Sequence, residues 1–488
     1  MLKDYRIMSE LLSTKEIAEK WNIKPSRVSV LCSEGKIKGA KKNGKFWMIP
    51  ADAKKPSDGR RKEKKEKDYK FTFIDLFAGI GGFHQAMRYL GGKCVMASEI
   101  NQACVETYKA NYKTKDIRGD IKKIEAETVP NFDVLCAGFP CQPFSKAGLQ
   151  KGFDDEDRGN LFFNILRILD GHPEAKFILL ENVRNLADKE DNWNIIKTEL
   201  MKRNFFITEK PVILSPSNFG LPQIRERVYI LGIRKDLRDE SVLTNDYIHI
   251  TDLNLDGIQF KDNCKMGDAF SILEKNVDDQ YIVDAEQEEM ILAWEEFRKA
   301  THIGTIGYPI WINSFGLGID DEDEFLASQE YDDMPEWKQK FVRNNRKLYL
   351  ENKSFIDSWI VEHRMLDRIK LYQKFEWNCG TDVKDIHNAV IQIRQSGIRA
   401  KRPTYYPALV AIVNTPIIYD KKKKHFRRIT PREAANLQNF NKRFKFLGTD
   451  KQIYKQLGNS VNVRILKILG EKLFSFLKYD WNGGEINE

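Results

Sequence analysis

Cysteine is sparse in this sequence and never closely paired. Seven occur in 488 residues, at Cys32, Cys94, Cys104, Cys136, Cys141, Cys264 and Cys379, and no Cys-x-x-Cys spacing exists. That excludes a disulfide framework and offers no zinc-ligand set, so no metal is expected and a reducing, cytoplasmic setting is the default. Long apolar runs are missing as well. None approaches the roughly 20 residues of a membrane-spanning helix, so no membrane partner is expected. The first twenty residues carry Lys3, Asp4, Arg6, Glu10, Lys15, Glu16 and Glu19, a pattern unlike a signal peptide. No internal repeat is visible. Charge of neither sign is lacking: 80 Lys/Arg against 71 Asp/Glu leave a formal +9, compatible with a polyanionic partner without requiring one. A hydrophobic content of 41% is ordinary for a folded chain, and the length suggests two to four domains.

What is present divides the chain into segments. Residues 1–53 read as a small unit. Ser13 or Thr14 caps a helix over KEIAEKW with Glu16 closing a capping box. Asn22 and Ile23 turn, and a second helix runs from Pro25 to about Gly35. Ile37–Ile49 reads as a hairpin with Asn43-Gly44 at its tip and Trp47 turned inward. Two short helices and a wing form a helix-turn-helix pattern that resembles excisionase and MerR-type proteins. Lys24, Ser26 and Arg27 at the start of the second helix are the candidate DNA contacts. A generic helical cap is the alternative. Residues 54–70 hold nine Lys/Arg and four Asp/Glu with almost nothing apolar, and read as a charged linker.

From Phe71 the pattern becomes strands alternating with helices. FTFIDLFAG, KCVMASEI, FDVLCAGF, KFILLENV and RVYILGIR are apolar runs of strand length, which predicts an α/β fold with a parallel, doubly wound sheet. Asp75-Leu76-Phe77-Ala78-Gly79-Ile80-Gly81-Gly82 is a glycine turn between a strand and a helix, suited to close approach of a ligand. Glu99, ending the next strand, is placed to accept both hydroxyls of a ribose. Asp120 is placed to bond an adenine amine. A nicotinamide or flavin site is the alternative, weakened by the absence of GxGxxG.

The third strand runs into Pro140-Cys141-Gln142-Pro143, which puts a thiol on a loop at a strand's carboxyl end. KFILLENV ends in Glu181-Asn182-Val183, and Gln223-Ile224-Arg225-Glu226-Arg227 precedes the last strand. These elements fit one reaction. A thiolate added to C6 of cytosine makes C5 nucleophilic, and a carboxylic acid at N3 assists the addition. Arg225 and Arg227 would hold O2 and the flanking phosphate. Each residue also has a bland reading: a core cysteine, a helix-capping Glu, a surface Arg-Glu-Arg run.

Together FIDLFAGIGGF, GFPCQPFS, ENVRNL, QIRERVYILG, RRITPREAANLQNF and QLGNSVNV resemble, in order, the motifs of the DNA cytosine-5 methyltransferase family. The resemblance covers residues 71–238 and about 395–475. It implies a Rossmann-like S-adenosylmethionine-dependent domain made of residues 71–238 and 429–488, with a smaller target-recognition domain at 239–428. It implies that Phe77, Gly79, Gly81, Glu99, Ile100, Asp120, Ile121, Pro140, Leu161, Asn459 and Val461 line the S-adenosyl-L-methionine pocket. It implies that Cys141, Glu181 and Arg227 are catalytic with Arg225 in support, and that Gln223 meets DNA. Double-stranded DNA is the expected partner. A cognate restriction endonuclease is a functional partner the resemblance allows, and a monomer suffices for one base. Two other classes remain open: an RNA cytosine-5 methyltransferase, and a regulator that keeps an inactive methylase fold.

Overall fold

The computed structural model describes residues 11–56, 69–140, 161–188, 190–237, 247–255, 263–302, 308–409 and 415–476, and two short strands at 479–480 and 484–485. The chain forms two units, Met1–Asp68 and Tyr69–Glu488.

In the first unit Ser13 caps helix Thr14–Trp21. Its hydroxyl accepts from the Glu16 amide and the Glu16 carboxylate accepts from the Ser13 amide, a capping box that stabilises by about 1 kcal/mol. Asn22 ends the helix in a left-handed conformation, φ 52°. Pro25, whose missing N–H costs nothing at a first turn, starts helix Pro25–Ser33. Strands β1 (Leu11–Ser13), β2 (Lys41–Asn43) and β3 (Phe46–Pro50) make an antiparallel sheet in the order β1-β3-β2. Ile17, Ala18, Trp21, Val28, Leu31 and Ile49 form a separate core, with Trp47 packed against it.

In the second unit β4 (Phe71–Leu76), β5 (Gly92–Ser98), β6 (Ile117–Arg118), β7 (Val134–Gly138) and β8 (Phe177–Val183) run parallel. Their near-continuous apolar sequences suit strands covered on both faces. β9 (Phe205–Ile207), β10 (Val212–Leu214) and β11 (Arg227–Arg234) complete the sheet, ordered β10-β11-β8-β7-β4-β5-β6, with β9 also on β11. β11 is antiparallel to β8, β9 and β10, so the sheet is mixed rather than wholly parallel. The reason is the link from β10 to β11. Its twelve residues, 215–226, hold one 3-10 turn at Pro216–Phe219 and no helix to carry the chain across the sheet, so β11 returns beside β10 in the opposite direction. The turn of strand direction puts Arg227 at the same edge as the carboxyl ends of β4, β5, β7 and β8.

Side chains on one face of this sheet, Phe73, Cys136, Leu179 and Tyr229, pack with helices Gly82–Tyr89 and Val463–Phe476. Those on the other face, Ile74, Leu135, Leu180 and Val228, pack with helices Leu161–Asp170 and Glu190–Lys202. The order reverses at β4, whose neighbours are β5 and β7, and crevices outside such a reversal bind ligands.

A second sheet lies in the stretch where no strand rhythm is visible. β12 (Ile310–Trp311), β13 (Lys374–Asn378), β14 (Val390–Arg394), β15 (Gly397–Lys401), β16 (Ile417–Asp420) and β17 (His425–Arg428) are ordered β12-β13-β15-β14-β16-β17. One face packs Phe375, Trp377, Ile391, Ile398 and Ala400 against helices Ala285–Ala300 and Lys353–Glu362 through Trp294 and Trp359. Packing divides residues 239–428: Ile248, Leu253, Leu255, Ala269 and Ile272 belong to the first core, and the separate core starts at Val283.

Candidate active site

β4 ends in a tight turn that starts the helix Gly82–Tyr89. Phe77 stands there at φ 55°, a left-handed conformation unusual for an aromatic residue. Gly79 follows at φ 53° with open space where a Cβ would point. Two further glycines are fixed by contact. A Cβ on Gly81 would lie 2.2 Å from the Tyr112 ring, and one on Gly82 would lie 2.5 Å from the Val461 methyl. The turn is held from beneath, where the Tyr112 hydroxyl donates to the Gly81 carbonyl at 2.8 Å and stacks on His84. His84 Nδ1 lies 2.7 Å from the Tyr108 hydroxyl, and burial pushes the imidazole down to about 3, so it stays neutral.

Glu99 sits half-exposed beside this turn. One carboxylate oxygen accepts from the Gly79 amide at 2.7 Å and the other from the Asn101 amide at 2.7 Å. Each oxygen keeps a further lone pair, so the same carboxylate that shapes the turn still accepts two hydroxyls. Ile100, 76% exposed, and Asp120 line a hollow of ≈ 620 Å³ with Gly119 and Ile124. Ile121 instead turns into the core, 3% exposed. Val461 is buried against Gly82, behind the glycine turn, and 3.3 Å from a Cβ on Gly138. Asn459 and Pro140 are exposed and Leu161 is half-buried. An open left-handed glycine and a carboxylate with free lone pairs, with Asp120 lining a hollow beyond Ile100, fit a bound S-adenosylmethionine.

Glu181 stands on β8 between Gly138 of β7 and Tyr229 of β11. It is buried, 3.1 Å from Arg227 Nε. Burial raises its pKa and the Arg227 and Arg225 charges pull it back only in part, so the carboxyl keeps its proton to higher pH than an ordinary one. Arg227 also donates to the Glu226 carbonyl at 2.8 Å. Cys141 and Gln142–Ser145 lie outside the described residues. The last described residues before them, Phe139 and Pro140, leave the carboxyl end of β7, the strand next to Glu181.

Asn182, which the motif reading left without a role, donates from its side chain to the Phe139 carbonyl at 3.0 Å. It thereby anchors the exit of β7 two residues before Cys141. Its position beside Glu181, at the end of a strand apolar up to Leu180, is the only signal in the sequence.

Two expected substrate contacts are corrected. Gln223 is completely buried, so it is no DNA contact here; its backbone bridges to Tyr406 instead. Arg225 is also buried; both terminal nitrogens of its guanidinium are bonded to backbone carbonyls, and its Nε is buried without a partner. Nη1 donates to the Leu409 carbonyl at 3.1 Å, and Nη2 donates to the Gly458 and Ser460 carbonyls at 2.9 and 3.0 Å. It joins three distant segments rather than reaching a base or phosphate. Burial, then the Arg227 charge, bring it down to about 10, still protonated at neutral pH.

The description C-5 cytosine-specific DNA methylase matches residues 71–475. The chain is 31% identical over 484 residues to the Type II methyltransferase M.AluI of Cellulosimicrobium cellulans, across 82% of this chain and 91% of that one. It is 33% identical over 434 residues to M.HgiCI of Herpetosiphon aurantiacus, across 82% and 97%. Over a shorter 177-residue stretch it is 42% identical to M.HhaI of Haemophilus parahaemolyticus, 35% of this chain and 52% of that one.

Proposed function

Because the chain belongs to the C-5 cytosine-specific DNA methylase family and methylates carbon 5 of cytosine in DNA, we propose that Cys141 is its nucleophile, Glu181 its acid and Arg227 the group that holds Glu181 and the base. The Glu181–Arg227 pair carries this reading, since it sits at the crevice edge of the sheet, one strand from the exit toward Cys141. S-adenosylmethionine is the family's methyl donor and, when bound, supplies an electrophilic methyl group. Phe77, Gly79, Glu99, Asp120 and Val461 would hold it.

C6 of cytosine is stacked inside a duplex, so the target base must leave the helix first, which costs a few kcal/mol. Cys141 as thiolate then bonds to C6 while Glu181 donates its proton toward N3. The resulting enamine makes C5 the nucleophile that takes the methyl group. A base removes the C5 proton, the Cys141–C6 bond breaks, and N3 returns its proton to Glu181. Full-length protein given S-adenosylmethionine and a duplex in which every cytosine is 5-fluorocytosine should accumulate a denaturation-resistant adduct, because elimination has no C5 proton to remove. A tRNA with the same substitution should give none; adduct on the tRNA alone would reverse the substrate reading.

Within residues 239–428, read from sequence as the target-recognition domain, the part from Val283 onward is assigned that role, supported by its separate core, while Ile248–Ile272 pack with the catalytic core. A cognate restriction endonuclease is assigned as functional partner, since M.AluI and M.HgiCI, which match most of the chain, are Type II methyltransferases. The enzyme is assigned as a monomer, one chain for one flipped base, acting in the cytoplasm. No helix among the described residues is long and apolar enough to cross a membrane.

The first unit is assigned as a separable DNA reader. Lys24 and Ser26 are exposed and Arg27 is half-exposed at the start of its second helix, and Phe46 at the hairpin tip is 76% exposed. Its core is its own. Removing residues 1–68 should therefore leave the methylated sequence unchanged, read by sequencing DNA from expressing cells, while abolishing the footprint on the region upstream of its own gene. Loss of methylation would make the unit part of the catalytic engine.

A further inference from the structure

The second sheet has a face that its core does not use. Alternation along β13, β14 and β15 sends Phe375, Trp377, Ile391 and Ile398 inward, so Lys374, Glu376, Arg394, Arg399 and Lys401 share the opposite face. Near Val390, the cross-strand partner of Lys401, that face packs into the first core. From there it runs outward along the β14–β15 hairpin through Gln392 and Arg399 to Arg394.

Four cations on this face meet one carboxylate, Glu376, which pairs with both Arg399 and Arg394. The remaining charge is uncompensated within the group. Arg394 Nε is buried with no hydrogen-bond partner, although the side chain is half-exposed overall. Burial and the neighbouring arginines lower the pKa of Lys401, a sign that the cluster repels itself. Lys374 lies 5.6 Å over the Trp311 ring and Lys401 5.3 Å over Tyr405, so aromatic faces flank the strip at both ends. A self-repelling, half-open row of cations beside the catalytic core is stabilised by an anion laid along it.

We propose that this strip, centred on Arg394, Arg399 and Lys401, clamps the phosphate backbone of the DNA substrate and sets the duplex against the catalytic domain without reading its sequence. It rests on the DNA substrate assigned above but not on the covalent chemistry, because binding alone tests it.

Each phosphate neutralised by a cation contributes about 0.9 to the slope of log affinity against log salt. The full-length double variant Arg394→Gln, Lys401→Gln, titrated with duplex DNA over a range of salt, should lose about 2 from that slope. Affinity should weaken equally for methylatable and scrambled duplexes, and the sequence methylated in cells should not change. S-adenosylmethionine affinity and the thermal midpoint should stay at wild-type values. Lys401→Gln alone, which leaves Glu376 with both its arginines, should lose about half as much slope. An unchanged salt slope in folded protein overturns the proposal. So does a changed recognition sequence, which would make these side chains base readers. Loss of the 5-fluorocytosine adduct with normal binding would count against the covalent mechanism and leave the strip standing.

Discussion

A Cys141→Ser enzyme binds S-adenosylmethionine and duplex DNA as the wild type does and transfers no measurable methyl group. The nucleophile must carry charge to add to an electron-poor ring, and a thiol with a pKa near 8.5 supplies it where an aliphatic hydroxyl does not. The expected loss is roughly 10⁴-fold or more, the scale of removing a covalent nucleophile from other enzymes. Because the substitution removes one heavy-atom type and no volume of consequence, affinity for both substrates is the internal control. The measurement is single-turnover transfer of labelled methyl together with both dissociation constants. Transfer within tenfold of wild type would dismiss Cys141 as the nucleophile. A Cys136→Ser variant is the contrast: Cys136 is buried in β7, and its thiol is pushed up by burial and by Asp75, so it holds structure and not chemistry.

Glu181→Gln keeps the shape of the site and the capacity to touch N3, but it removes the transferable proton. Turnover should fall by about 10² to 10⁴-fold, the usual contribution of a positioned general acid. The pH dependence should change as well. In the wild type, burial holds Glu181 protonated above the ordinary carboxylate range, so kcat/KM should decline as pH climbs through that raised value. The variant has no such decline. The same shift has a stability counterpart of fixed sign: the folded chain keeps a proton that the unfolded chain releases, so this contribution is present at low pH and disappears as pH rises through the raised value. A variant that retains full rate, or retains the alkaline limb, would assign the acid elsewhere. Arg227, half-buried, loses its charged partner in this variant and keeps its bond to the Glu226 carbonyl. The thermal midpoint therefore belongs in the experiment, to separate lost chemistry from lost fold.

Much of the catalytic domain was readable because its strands are short continuous apolar runs. FTFIDL, VLCAG and FILLENV announce strands buried on two faces; the first two lead into the glycine turn and the Pro140-Cys141 segment, and the third carries Glu181 near its end. Direction was not readable. RVYILGIR looks the same whichever way it runs, and only the hairpin through Pro216–Phe219 makes it antiparallel. The second sheet escaped notice for a different reason. VIQIR and GIRAK do alternate, but the pattern sought was strands separated by helices. Here β13 pairs in parallel with β15 across the intervening β14, a long-range connection that no local window reports. At the site, Glu99 and Glu181 stand where their motifs suggest. Gln223 and Arg225 are turned into the core, because a polar residue inside a motif says nothing about which way it faces. In Arg225 three backbone carbonyls captured a guanidinium that sequence alone would aim at a substrate.

The wall behind the cofactor turn is built from the far end of the chain. Val461 abuts Gly82, helix Val463–Phe476 covers helix Gly82–Tyr89, and Arg225 is tied down by carbonyls at Gly458 and Ser460. On the ribosome, the glycine turn and the acid strand emerge some 280 residues or more before that wall is translated. Until then Arg225 is a charge without its carbonyls, and the apolar side of helix Gly82–Tyr89 is bare. A chain that stops short of Gly458 therefore lacks two of the three carbonyls that hold Arg225 and the cover of that helix.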